Sequence, residues 1–137
     1  MSSITPNRDA FVQLASSDDS TPVVMLNLLK FKERSADGSR SGQEEYGAYA
    51  RDVTKMVAER GGRLVWSGRP EQVLVGDESQ EWDMVALVEY PSRKAFIDMV
   101  SSPDYMKSHE HREGGLERTV LIAMREIQRG MERSDSL

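Results

Sequence analysis

The sequence contains no cysteine, and only two of its 137 residues are histidine. The absence of cysteine excludes disulfides, thiolate metal sites and a cysteine nucleophile. No apolar run is close to the length that a membrane span needs, which is about 18 residues. The longest run, Val23–Leu29, is interrupted by Asn27. The N-terminus lacks the basic and apolar regions of a signal peptide, so we expect a cytoplasmic protein without a membrane partner.

Basic residues are outnumbered by acidic ones. Eighteen Lys and Arg against 23 Asp and Glu leave a net charge of -5, which argues against nucleic acid as the main partner. Hydrophobic residues make up 38% of the chain and charged residues 30%, proportions typical of one soluble globular domain. We therefore predict a single domain over residues 1–128 and a polar tail over residues 129–137.

Hydrophobic patterning and helix caps predict an α+β fold. The run Val23–Phe31 is apolar on both faces, which indicates a central strand. Pro70 favours an edge position for the strand that contains it, because proline donates no hydrogen bond. The predicted order is a helix opened by Thr5-Pro6, strand Val23–Phe31, a helix capped by Ser41 and Glu44, strands Arg63–Val75 and Trp82–Tyr90, helices opened by Pro91-Ser92 and Ser102-Pro103, and strand Thr119–Ile127.

A helix followed by βαββαβ is the ferredoxin-like arrangement, in which two helices cover one face of a four-stranded antiparallel sheet. Because the strands are apolar on both faces, the second face also needs a cover. A second copy of the same sheet is the simplest cover. The sequence therefore predicts a homodimer.

Four stretches of the chain also carry a family resemblance: PVVMLNLLKF, GGRLVWSGRPEQVLVG, WDMVALVEYPSRKAF and SPDYMKSHEHREGGLE. They resemble domain-of-unknown-function family 1330 (DUF1330), a bacterial-type family of the dimeric α+β barrel superfamily. The resemblance implies a ferredoxin-like protomer and a dimer, but no settled activity. Related branches of the superfamily include cofactor-independent monooxygenases, haem-degrading oxygenases, isomerases and pure ligand-binding modules.

Asn27 is the most informative polar residue, because it lies mid-strand among apolar neighbours. A buried amide must find hydrogen-bond partners, so Asn27 is either structural or directed at a ligand. Oxygenases of the superfamily place an Asn on the first strand to bind a substrate or haem-bound oxygen. Haem-degrading relatives add a Trp and a His, a pattern that Trp66 and the two histidines do not fit. Trp66 and Trp82 suit either a core or a flat aromatic ligand.

Charged residues supply the other candidates. Arg69 and Glu89 lie in apolar strands, where they form either an ion pair or, if Glu89 has a raised pKa, a general base. The register of the hairpin decides between these readings. One helical face carries Tyr105, His109, Arg112 and Glu113, whereas the family resemblance matches Tyr105, His111, Arg112 and Glu113. That face is either a polar rim over a cavity or a solvated surface with Arg112 paired to a carboxylate.

Two functions of different classes remain open. The first is a small-molecule enzyme, oxygenase-like or isomerase-like, that acts on an aromatic or carbonyl compound. The second is a non-catalytic small-ligand-binding or interaction domain. No metal, nucleotide or other cofactor is expected, since the sequence has no phosphate-binding loop, no cysteine and no same-face histidine pair. The candidate catalytic residues are Asn27, Glu89 and Arg112, and the candidate ligand-binding residues are Asn27, Trp66, Arg69, Tyr105, His111 and Arg112.

Overall fold

The computed structural model of the chain describes residues 7–130. Its four strands form one antiparallel sheet in the order β2-β3-β1-β4, with helices against one face. This is the ferredoxin-like α+β fold that the sequence predicts. The elements are α1 (Arg8–Ala15), β1 (Val23–Phe31), α2 (Gly42–Glu59), β2 (Arg63–Gly68), β3 (Met84–Tyr90), α3 (Arg93–Val100), α4 (Pro103–Gly115) and β4 (Leu116–Met124).

The predicted central and edge strands are confirmed. Strand β1 lies between β3 and β4, where Asn27 is opposite both Ala86 and Leu121. Strand β2 lies at an edge of the sheet. The prediction that this strand continues to Val75 is wrong, because pairing ends at Gly68, before Pro70. A proline cannot donate to the neighbouring strand, and the chain leaves the sheet there.

The helix boundaries follow local capping. Ser41 and Glu44 form the predicted capping box at the start of α2, and Ser102 caps α4 with Pro103 in its first turn. Helix α1 begins later than predicted, because the side chain of Asn7 accepts a hydrogen bond from the Ala10 amide and acts as the N-cap. Thr5-Pro6 and the end of the predicted polar tail lie outside the described residues.

The two faces of the sheet have different surroundings. Along β1, Val23, Met25 and Leu29 point toward the helices and are buried, while the alternate residues point to the other side. That other side, which we call the open face, is largely apolar and only partly covered in the protomer, with the Arg63–Glu89 pair at one end. Its side chains include Val24, Leu26, Leu28, Trp66, Val85, Leu87, Val120 and Ile122.

Two glycines fix the position of α2 against α4. The Lys32 amide donates to the Gly115 carbonyl (2.8 Å), and the Gly42 amide donates to the Lys32 carbonyl (3.0 Å). A Cβ on Gly42 would lie 2.1 Å from the Lys32 carbonyl oxygen, and one on Gly115 would lie 2.5 Å from the Gly42 carbonyl oxygen. Only glycine allows these backbones to approach so closely. The contact thereby sets where the inward-facing side chains of both helices meet.

Candidate functional site

All four tyrosines of the chain converge between the helices and the sheet. Tyr46 and Tyr49 lie on the inner side of α2, Tyr90 ends β3, and Tyr105 lies in the first turn of α4. The Tyr49 and Tyr105 hydroxyl oxygens are 2.8 Å apart and share a hydrogen bond. The ring centroids of Tyr46 and Tyr49 are 5.2 Å apart, and those of Tyr49 and Tyr105 are 5.8 Å apart. We call these four residues the tyrosine cluster.

The hydroxyls of Tyr46, Tyr49 and Tyr90 are held in their neutral form. Burial raises the pKa of Tyr46 to about 12, although the positive charge of Arg112 acts in the opposite direction. Burial, together with the nearby Tyr105 and Tyr46 hydroxyls, raises the pKa of Tyr49 well above its usual value. Burial also raises the pKa of Tyr90, and the nearby Tyr105 and Tyr46 hydroxyls add to this effect. At neutral pH these groups therefore donate and accept hydrogen bonds but do not act as bases.

Arg112 brings a positive charge to the same region. It lies on the inner side of α4, two turns after Tyr105, and is only 8% exposed. Its charge reaches the hydroxyls of Tyr46 and Tyr49, where it favours the phenolate form. A buried guanidinium beside neutral phenol donors is suited to a ligand oxygen that carries negative charge.

Asn27 lies in the middle of β1, on the face that the helices cover. Its neighbours on that face, Met25 and Leu29, are 2% and 1% exposed, whereas Asn27 is half-buried. The Asn27 Nδ2 donates long hydrogen bonds to the carbonyl oxygens of Met25 (3.3 Å) and Ala86 (3.4 Å). Opposite Asn27 on β4, Leu121 is 37% exposed. The helices therefore cover Asn27 and Leu121 less completely than Met25 and Leu29.

Tyrosines of the cluster lie near both ends of β1, on the side of the sheet that carries Asn27. At one end of β1, the Phe31 ring contacts the Tyr46 ring, with centroids 5.5 Å apart. At the other end, Tyr90 is opposite Val23 on the neighbouring strand. Asn27 lies midway between these ends on the same face. We take Asn27, Arg112 and the tyrosine cluster together as the candidate site.

The family profile for "Domain of unknown function (DUF1330)" matches residues 39–125. The chain belongs to this family. A crystal structure of a protein of unknown function from Rhodopseudomonas palustris is 34% identical, covers 94% of this chain and 100% of that chain, and has a TM-score of 0.88. Among curated proteins, none matches the chain. The resemblance inferred from the sequence motifs is confirmed.

More distant structures share the fold of this DUF1330 protein. A dabb family protein with a ferredoxin-like fold from Mesorhizobium loti is 14% identical, covers 78% of this chain and 98% of its own, and has a TM-score of 0.54. A putative antibiotic biosynthesis monooxygenase from Bacteroides thetaiotaomicron is 16% identical, covers 83% and 97%, and has a TM-score of 0.53. At these identities the comparison establishes the fold alone.

Four residues predicted from the sequence are not part of the candidate site of this DUF1330 chain: Trp66, Arg69, Glu89 and His111. Trp66 and Glu89 are on the open face, so the structure does not bring them together with Asn27. The expected ion pair between Arg69 and Glu89 is wrong. Arg63 is directly opposite Glu89 in the register and pairs with it at 3.2 Å, while Arg69 lies exposed beyond the end of β2.

His111 takes part in a contact between α2 and α4. Its Nδ1 lies 3.0 Å from Oε1 of Glu45, which also accepts hydrogen bonds from Arg40. The hydrogen bond from Arg40 is the main reason that the pKa of Glu45 is below its usual value, and the bond with His111 lowers it further. Among residues 7–130, no group of three potential ligands is arranged to hold a metal ion. No helix in the same range is long and apolar enough to cross a membrane.

A broad surface groove of about 960 Å³ lies elsewhere, beside the loop that follows β2. It opens widely to solvent and shares no residue with the candidate site. Five carboxylates line it, and these repel the negatively charged oxygen for which Arg112 is suited. The carboxylates are those of Glu71, Asp77, Glu78, Glu81 and Asp83.

An alkaline titration should show at which pH the buried tyrosines ionise. Because the pKa of Tyr46 is raised from 10.0 to about 12, its contribution to stability is complete below pH 10 and is lost as the pH rises toward about 12. We expect phenolate absorbance to lag behind that of the denatured chain in this range and then to rise together with unfolding. Reversible ionisation of Tyr46, Tyr49 and Tyr90 near pH 10, with the fold intact, would contradict their burial.

Proposed function

We propose that this protein binds a small aromatic or carbonyl compound between its sheet and its helices, and acts on it as an isomerase-like or oxygenase-like enzyme without a cofactor. The observation that carries the proposal is Asn27, a partly exposed amide in the middle of β1, between the buried Met25 and Leu29 on the face that the helices cover. A polar side chain in that position is suited to a ligand, because its own hydrogen bonds are long.

The chemistry that the site supports is stabilisation of an oxyanion. The neutral tyrosine hydroxyls and the Arg112 guanidinium are donors fixed in a buried setting, where they favour negative charge on a substrate oxygen. Isomerisation and cofactor-independent oxygenation share one first step, in which the substrate loses a proton and becomes an enolate or a phenolate. Asn27 can hydrogen-bond another polar group of the same compound and so orient it.

The experiment that tests this proposal uses 4-nitrophenol, a flat aromatic acid whose phenolate absorbs visible light. We expect saturable binding, with NMR shift changes at Asn27 and at the rings of Tyr49 and Tyr105. We also expect the bound probe to ionise at a lower pH than the free probe, because Arg112 favours the anion. As a control, 4-nitrotoluene should bind without preference for Arg112. The proposal fails if 4-nitrophenol does not saturate, or if only surface residues shift.

We also infer that the protein is a homodimer formed through the open face. On this face Trp66 is 56% exposed and Ile122 is 45% exposed in the protomer. The Trp66 indole occupies the space beside Gly68 that a side chain there would fill, and so adds to the apolar surface. Contiguous apolar surface of this kind is typical of an interface, and a second copy presents a matching face.

Light scattering should therefore give twice the protomer mass of 15.4 kDa. Ile122→Glu places a charge opposite Leu26 on the open face and should yield a folded monomer. Val12→Glu is the matched control, since Val12 is equally apolar and 56% exposed but lies on α1. A wild-type mass of one protomer at micromolar concentration, or an Ile122→Glu variant that stays dimeric, would refute the interface.

A further inference from the structure

His109 on α4 has one nitrogen that the fold does not satisfy. Its Nε2 lies 2.6 Å from Oε1 of Glu113, one turn further along the helix. Its Nδ1 is buried, and within residues 7–130 it is the one buried side-chain polar atom without a hydrogen-bond partner. Buried polar atoms are nearly always paired, and exceptions in native proteins often have a functional reason.

The position of His109 places this nitrogen beside the candidate site. Its ring packs next to the Tyr105 ring, with centroids 5.9 Å apart. Ser108 faces α2, because its Oγ donates to Asp52 at 2.8 Å. One residue turns an α-helix by about 100°, so His109 lies on the other flank of the line formed by Tyr105 and Arg112. The imidazole therefore borders the inner side of α4, on the flank away from α2.

Glu113 determines which nitrogen of His109 carries the proton. An ionised carboxylate can only accept a hydrogen bond, so the hydrogen in the His109–Glu113 pair belongs to Nε2. In the neutral imidazole, Nδ1 then carries the lone pair. It is a buried acceptor that the fold leaves without a partner. A carboxylate that orients a histidine in this way is a recurrent arrangement in general-base catalysis.

We propose that His109 is the general base of the candidate site and that Glu113 is its positioning residue. The inference rests on the proposed function, since it requires a substrate beside the tyrosine cluster. The O–H bond of a phenol, or the C–H bond next to a carbonyl, breaks, and the proton moves to Nδ1. The electron pair stays on the substrate as a phenolate or an enolate. Glu113 balances the imidazolium, and the proton later returns to the substrate.

The other side chains of the candidate site have different roles in the proton transfer. Glu113 and Arg112 come from the same helix: Glu113 positions the imidazole through its hydrogen bond to Nε2, and Arg112 favours negative charge on the substrate. Tyr46 and Tyr49 come from α2 and contribute hydroxyls rather than charges. Because these hydroxyls remain protonated, they stabilise the oxyanion but do not generate it.

The tautomer of His109 can be measured directly, because the chain has only two histidines. Nitrogen NMR should show protonated Nε2 and bare Nδ1 on His109. His111 should show the opposite pattern, since its Nδ1 is bound to Glu45. In Glu113→Gln, an amide can donate to Nε2, so the His109 preference should be lost while the His111 pattern is kept. A protonated Nδ1 on neutral His109 in the wild type would overturn the assignment.

The second measurement uses 4-nitrophenol. In His109→Gln, the neutral probe should bind as in the wild type, but its ionisation in the complex should move back toward the free value by about one pH unit. His111→Gln is the matched control and should change nothing. If the probe binds and ionises identically in His109→Gln, the base assignment is wrong while the proposed function stands. If neither the wild type nor the variants bind the probe, the proposed function is wrong, and so is this inference.

Discussion

Replacing Gly42 by alanine should destabilise the protein by several kcal/mol or prevent it from folding. The added Cβ would lie 2.1 Å from the carbonyl oxygen of Lys32 and 2.7 Å from that of Gly115. Both neighbours are backbone atoms that are themselves tied by the hydrogen bond from the Lys32 amide to the Gly115 carbonyl. Neither carbonyl group can move away from the added Cβ unless α2 and α4 separate. The tyrosine cluster would be lost with that contact, since its members come from both helices.

Gly47→Ala is the matched control for this prediction. Gly47 lies in the same helix, and the nearest atom to an added Cβ is the flexible Arg51 side chain at 3.8 Å. Alanine is the better helix former, so this variant should gain up to about 1 kcal/mol. Urea unfolding of both variants measures the difference. A Gly42→Ala variant as stable as the wild type would show that α2 and α4 do not approach as closely as described.

Replacing Asn27 by leucine should weaken the binding of 4-nitrophenol by about tenfold or more, which corresponds to about 1.4 kcal/mol. Leucine has a similar size and fits among the apolar neighbours of β1, but it cannot hydrogen-bond a ligand. The fold should survive, because the bonds lost are the long ones to Met25 and Ala86. Titration of the probe, paired with thermal unfolding of the same sample, separates affinity from stability.

Trp66→Phe provides the control for Asn27→Leu. Trp66 lies on the open face of the sheet, so its replacement by a smaller aromatic residue should leave probe affinity unchanged. Unchanged affinity in Asn27→Leu would remove Asn27 from the site. A marked fall in melting temperature, with unchanged affinity per folded molecule, would assign Asn27 a structural role instead.

Much of the fold could be predicted because its signals are local. A run that is apolar on both faces indicated the central strand, and the caps at Ser41 and Ser102 marked helix starts within a few residues. The partner of Glu89 could not be predicted in this way. It depends on the register between β2 and β3, which shifts at an irregularity between Leu64 and Trp66. One extra residue at such a point changes which side chains are opposite each other.

The site was predictable in part for a similar reason. Asn27 stands out as a polar residue in an apolar strand, and Tyr105 shares the helical face of Arg112, although the sequence left open whether that face is a rim over a cavity or solvated. The sequence places Tyr46 and Tyr49 at the spacing of one helix face, which is typical of core packing. The local sequence does not distinguish a tyrosine whose hydroxyl contacts other hydroxyls from one whose ring only packs in the core. The convergence is a tertiary property, brought about by the approach of α2 to α4.

A crystal structure of the protein with 4-nitrophenol would test the central claim most directly. We predict that the probe lies between the sheet and the helices, with its phenolic oxygen close to Arg112 and the tyrosine hydroxyls and its ring over Asn27. A probe bound only on the open face, or only in the groove beside the loop after β2, would contradict the site proposed here.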